Sequence, residues 1–321
     1  MQLLTITPFP RLKMKLLFDF LSFNQLNILL FLLFFGLWTP SDLFSQVHPG
    51  FPSLTPLQNA ESLLSMKRYA ESIDAFENLL DRKEKRGYAV RGIVRAYRGS
   101  DRAEIGKKFL KNRLSIAKEP SDFLYGLGYW YYSEGQIKES TIYLEEAIKA
   151  NPNHALALNN LGAVLSEVGD HREAEQRVKE ALELNPSESM FFQNLFLIYK
   201  SGGWPEEYRR EYESYLEKSR PKLALGYGKV LARNLRQKAF KDYSKGNVKK
   251  AVENFEEMVS IYKNVDYTPG ITAAWFSLGL LYEEQNKIRR AIDFFRKVLK
   301  ISPDHIQARQ RLLGLEGKND R

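Results

Sequence analysis

The feature that most constrains this chain is self-similarity at a fixed interval. With residues 121–154 set above residues 155–188, Leu127 and Gly128 fall over Leu161 and Gly162, and Tyr131 falls over Leu165. Ser140 falls over Ala174, Leu144 over Val178, Ala147 over Ala181 and Pro152 over Pro186, each pair 34 residues apart. A helical hairpin takes about 34 residues and cannot bury its apolar face alone, so repetition at this spacing means hairpins stacked on one another.

The pattern resembles the tetratricopeptide repeat, in which a large residue, a Leu-Gly pair and a Tyr mark the first helix, small residues let the second approach, and a Pro closes the unit. The clearest copy is the last, with Trp275, Leu278, Gly279, Tyr282, Ala291, Phe295 and Pro303 in place. The resemblance implies an all-α fold, a right-handed α-solenoid of helical hairpins ending in a capping helix. Stepping by the period gives units at 53–86, 87–120, 121–154, 155–188 and 189–222, then at 232–265 and 272–305, with a capping helix and tail at 306–321. Residues 223–231 read as a basic helical insertion that lengthens a first helix from Lys222 to about Ser244. Six further residues before the last unit are assigned to a loop around Asp266–Gly270. The unit at 189–222 departs from the family, since Tyr208 and Tyr215 stand where small residues belong. The cap is expected to turn a polar face outward.

Residues 1–45 read as a targeting segment, either a secretory signal or a membrane anchor. Arg11, Lys13 and Lys15 precede an unbroken apolar run from Ile28 to Trp38, which as a helix reaches only about 16 Å against a bilayer core of about 30 Å. Extension back to Leu16 would span, but takes in Asp19, Asn24, Gln25 and Asn27, and no Ala-x-Ala site follows. Both readings place the body outside the cytoplasm, periplasmic, secreted or membrane-anchored, behind a linker at 46–52. There are no cysteines, so disulfides, thiolate metal sites and thiol catalysis are excluded.

Stacking aligns the first helices into one wall, which in the family is the usual peptide groove. Repeat positions 2, 5, 6, 9 and 12 place Asp122, Tyr125, Tyr129 and Tyr132 on it from the third unit, and Asn159 and Asn160 from the fourth. The fifth contributes Gln193, Asn194 and Lys200, and the seventh Phe276. Asn160 and Asn194 share position 6, and a carboxamide can donate to and accept from a peptide backbone; exposed polar residues are by default merely solvated. The family's clamp for a terminal carboxylate needs Lys and Arg in successive units, and of these wall residues only Lys200 is basic.

The net charge is +9, and eleven Lys and Arg lie between Lys218 and Lys250 against one acid, Asp242. Lys229, Arg233, Arg236 and Lys241 read as a stripe along one helix face, suited to anionic lipid, polymer or nucleic acid, or else a solvated face. Aromatics for stacking bases are sparse, so nucleic acid is disfavoured. No His-Glu-x-x-His, Gly-rich phosphate loop or nucleophile elbow occurs, and His154 and His305 follow a closing Pro at the start of the next helix. The expectation is a non-enzymatic scaffold of the cell envelope without cofactor, metal or small-molecule substrate. It would hold an extended segment of another protein in the groove, or alternatively bind an anionic surface through residues 218–250.

Overall fold

A computed structural model describes residues 54–319. The leader and most of the linker lie outside the described residues. Among the described residues every regular element is a helix. The fifteen helices are α1 Pro56–Ser65, α2 Tyr69–Glu77, α3 Lys83–Gly99, α4 Ala103–Ile116, α5 Ser121–Ser133, α6 Ile137–Ala150, α7 Ala155–Glu167 and α8 His171–Leu184. The remainder are α9 Ser189–Gly202, α10 Pro205–Glu217, α11 Pro221–Ser244, α12 Val248–Asn264, α13 Thr268–Glu284, α14 Ile288–Ile301 and α15 Ile306–Asn319. They form seven hairpins, α1/α2 through α13/α14, followed by α15, and no helix among them is long and apolar enough to cross a membrane.

Local chemistry sets the helix ends. Thr55 and Gln58 form a capping box on α1, and Pro56, Pro205, Pro221 and Pro269 sit in first turns, where the missing N–H costs nothing. His154 Nδ1 accepts from Ala157 N at 3.1 Å, and His305 Nδ1 accepts from Ala308 N at 3.2 Å, so both act as N-caps. The turn inside six of the seven hairpins reverses through repeat position 15. There Lys67, Gly135, Gly169, Gly203, Gly246 and Asn286 all take positive φ, the left-handed conformation that glycine and asparagine tolerate best.

Within a hairpin the two helices meet at the glycine of the Leu-Gly pair. A Cβ on Gly162 would lie 2.5 Å from Val178 Cγ2 and 2.8 Å from the Ala174 carbonyl oxygen. Any larger residue would force α7 and α8 apart. The fifth hairpin solves its contact differently. Tyr208 is fully buried at the small-residue position, donates to the Phe192 carbonyl at 3.1 Å, and packs against Phe196, Tyr199 and Tyr227.

Three sequence expectations are corrected. The segment 223–231 is not a basic insertion in character: Leu223, Ala224, Tyr227, Val230 and Leu231 are buried, and Lys229 is its one charge. It lets α11 pack its first half beside α9 and α10, with Gly226 under the Phe192 ring and Gly228 beside Tyr212. The six extra residues do not form a loop, because α12 runs on to Asn264 and α13 starts at Thr268. Pro269 and Gly270 initiate that helix, Gly270 lying flat against the Tyr262 ring. The cap does not turn a wholly polar face outward: Ala308 and Leu315 are buried, while Ile306 and Leu313 are exposed.

Candidate functional site: the inner wall of first helices

Neighbouring first helices touch through positions 5 and 6, and these contacts are polar. Asn194 on α9 donates from Nδ2 to Asn159 Oδ1 on α7 at 3.0 Å. Asn159 in turn donates from its own Nδ2 to Asn160 Oδ1 at 3.1 Å. One hairpin further on, Arg233 on α11 reaches Gln193 Oε1 on α9 at 3.5 Å. A position-5 residue therefore faces the residue that follows it by about one repeat, and a polar seam runs from α7 to α11.

One repeat earlier the corresponding pair is Tyr125 on α5 and Asn160 on α7. Tyr125 is fully buried and Asn160 is 6% exposed, yet the Tyr125 hydroxyl and Asn160 Nδ2 have no partner. Burial pushes the Tyr125 hydroxyl well above its usual range, so it stays protonated. The seam is thus bonded at two junctions and open at this one.

The wall changes character along each first helix. At the N-terminal ends the helices crowd together: a Cβ on Gly87 would lie 2.9 Å from Asp122 Oδ1 and 3.1 Å from Leu156 Cδ1. His154 Nε2 meets Asp122 Oδ1 at 3.1 Å. The Tyr88 hydroxyl donates to Glu188 Oε2 at 3.0 Å and accepts from Asn185 Nδ2 at 3.0 Å, pinning α3 to the loop that enters the fifth hairpin. Towards the C-terminal ends the wall opens. Tyr129 and Tyr132 are half-buried, Lys200 is exposed, and Leu197 is 48% exposed. Arg91 lies over the Tyr129 ring at 5.9 Å. Tyr132 donates to Glu167 Oε1 at 3.0 Å, and burial together with that carboxylate pushes its hydroxyl up to about 12.

The wall residues expected from sequence therefore separate into a floor and a lip. Asp122, Tyr125, Asn159 and Asn160 are buried or nearly so, with Gln193 and Asn194 half-buried in the seam, while Tyr129, Tyr132 and Lys200 form the open part. Phe276 belongs to neither. It packs 5.7 Å from Phe295 and 4.8 Å from His305, joining the last hairpin to α15. Leu197 and the Tyr88 latch were missed. Leu197 shares repeat position 9 with Tyr129, which is the signal that finds it; a contact across 100 residues leaves no periodic trace.

The expected basic stripe does not survive as one face. Lys241 lies about 120° around α11 from Lys229 at 100° per residue. Lys229 stacks on Tyr267 at 4.2 Å, Arg233 joins the seam, and Arg236 lies over Phe240 at 5.5 Å with its pKa lowered by burial. Only Lys241 is left as a free exposed charge. Among the described residues no His, Cys, Asp or Glu group could hold a metal ion.

Comparison with known proteins agrees with the repeat reading. Models of the tetratricopeptide repeat match residues 121–187 and 272–305. An uncharacterized protein of Pyropia yezoensis, ycf37, is 41% identical over 49 residues, which is 15% of this chain and 28% of that relative's length. Among solved structures, MamA aligns with a TM-score of 0.36 at 19% identity over 51% of this chain and 95% of its own. The C-terminal part of a repeat-containing protein from Cytophaga hutchinsonii aligns at 0.38 and 16%, covering 80% and 99%. Cut9-Hcn1 of the APC/C aligns at 0.42 and 14%, covering 81% and 55%. Tetratricopeptide repeats generally mediate protein–protein interaction or scaffolding and are generally non-catalytic. The chain is an all-α stack of helical hairpins that carries tetratricopeptide repeats at residues 121–187 and 272–305.

Proposed function

We propose that this protein is a cell-envelope scaffold that holds an extended segment of a partner protein along the inner wall, between the lip of Tyr129, Tyr132, Leu197 and Lys200 and the floor of Tyr125 and Asn160. One observation carries the reading. Buried polar atoms are nearly always paired, and here Tyr125 OH and Asn160 Nδ2 are both without a partner on a seam that is otherwise bonded. An amide donor and a hydroxyl at corresponding positions of adjacent first helices suit a peptide carbonyl, with the tyrosine rings supplying stiff contact area around it. The envelope setting rests on the N-terminal sequence alone.

Selection of peptides from a displayed library on residues 46–321, followed by anisotropy titration of a selected peptide, tests the groove. Tyr129→Ala with Asn194→Ala is expected to weaken binding about tenfold or more, the loss that anchor residues bring. Equal affinity for the double variant and the wild type would remove the groove as the site.

A further inference from the structure

The second helices of the hairpins show a reversal of charge at one place in the repeat. At position 19, in the first turn of the second helix, stand Glu71, Glu139, Glu173 and Glu207 in the first, third, fourth and fifth hairpins. Negative charge there complements the positive end of the helix dipole. In the sixth and seventh hairpins the same position holds Lys250 and Arg290, next to Lys249 and Arg289, and neither α12 nor α14 has an acid in its first turn. These charges oppose the dipole, so helix stability does not account for them. The turns just before them add Lys245 and Lys287.

The displaced sixth hairpin enlarges the same edge. Lys238 occupies the repeat position filled by Leu127, Leu161, Leu195 and Leu278, all buried, and it is exposed. The second half of α11 runs past α9 and α10 and pairs with α12, through Phe240 on Phe255. Lys241 is exposed beside it. Of the nearby acids, Asp242 is engaged by Asn254 at 3.0 Å, Glu283 by Arg311 at 3.1 Å and Glu284 by Tyr243, while Glu253 and Asp293 stand exposed one turn further along α12 and α14.

We infer that this edge, Lys241, Lys245, Lys249 and Lys250 with Arg289 and Arg290, is a docking surface for an anionic lipid bilayer. Three observations favour a bilayer over other anions. The charges are mostly lysines spread along two adjacent turns, which suits a diffuse headgroup layer better than forked recognition of one group. No aromatic ring at the edge is free to stack a base, because Tyr243 is bonded to Glu284 and Tyr282 lies beneath Lys287 and Arg290. A second copy of this chain is a poor counterpart, since the acidic face of α8 and α10 is already paired with Arg172, Arg177, Lys179 and Arg220. Docking is peripheral: α14 spends its apolar residues Ala291, Ile292, Phe295 and Val298 on the core.

Full-length protein would be sedimented with vesicles of phosphatidylcholine alone and with added phosphatidylserine. The N-terminal segment carries Arg11, Lys13 and Lys15 and adds its own preference for anionic vesicles, so the edge is read from the change in that preference between the wild type and the edge variant. The wild type is expected to prefer anionic vesicles, with the preference lost as salt shortens the screening length below about 10 Å. Lys245→Glu, Lys249→Glu, Arg289→Glu and Arg290→Glu together are expected to lower that preference at least about tenfold. Lys229→Glu with Arg233→Glu leaves the preference unchanged, and circular dichroism checks that each variant is folded. A wild type without preference, or a folded edge variant that keeps it, overturns the inference; tighter binding to duplex DNA than to anionic vesicles overturns the choice of lipid.

Discussion

Tyr125 shows how one atom can separate stability from function. Its ring is fully buried and packs 5.1 Å from His154, while its hydroxyl has no partner. A buried polar group left unpaired costs about 1–3 kcal/mol, so deleting it is not destabilising. Tyr125→Phe is expected to leave stability unchanged or to raise it by up to about 1 kcal/mol, read as the midpoint of urea unfolding. The same variant is expected to bind a groove peptide more weakly. A clear drop in stability would mean that the hydroxyl is satisfied in the free protein and is not held open for a ligand.

At the scale of the element, α15 depends on His305. The ring accepts from Ala308 N through Nδ1, which requires that nitrogen to be unprotonated. Burial holds its pKa below the ordinary value of 6.5. As the pH falls through about 6.5 the unfolded segment takes up a proton before the folded one does, so the cap loses stability through that window and regains it as the pH rises. Hydrogen exchange should show α15 losing protection relative to α7 between pH 7 and about pH 5.5. His305→Ala should cost about 1 kcal/mol at pH 7 and less at pH 5.5, and so remove the difference; equal protection of wild-type α15 at both would sink the idea. The role of His305 and His154 at helix starts was legible from the Pro that precedes each by two residues, as was the hairpin spacing itself. Which residues form the floor was not. Position 5 packs against the next hairpin at the base of the groove, and only the packing of α7 on α9 reveals that Asn159 is buried. Nor could the sequence choose between a loop and longer helices before Gly270, because Pro269 begins a helix as readily as it ends one.

For the whole molecule, the apolar core comes in two parts that divide at α5. Phe123, Leu127 and Trp130 pack with the residues of α1 to α4, whereas Leu124 and Tyr125 pack with a core that continues to α15. That second core passes without a break through Tyr208, Tyr227 and Phe255, so the lengthened α11 does not divide the stack. In a solenoid each hairpin is stabilised by its neighbours, and damage spreads only as far as those contacts carry it. Leu110, fully buried in the first core, and Phe255, 1% exposed in the second, are matched probes. Leu110→Ala is expected to cost about 2–5 kcal/mol and Phe255→Ala about 3–5 kcal/mol. Hydrogen exchange in rising urea should show the first loosening α1 to α4 while α12 to α14 keep their protection, and the second doing the reverse. If either substitution loosens both regions together, α5 couples the cores into one cooperative unit. The groove lip, which draws Tyr129 and Tyr132 from α5 and Leu197 from α9, would then be as rigid as the stack itself; if they loosen separately, the lip sits on the joint between two bodies and its width follows the bend at α5.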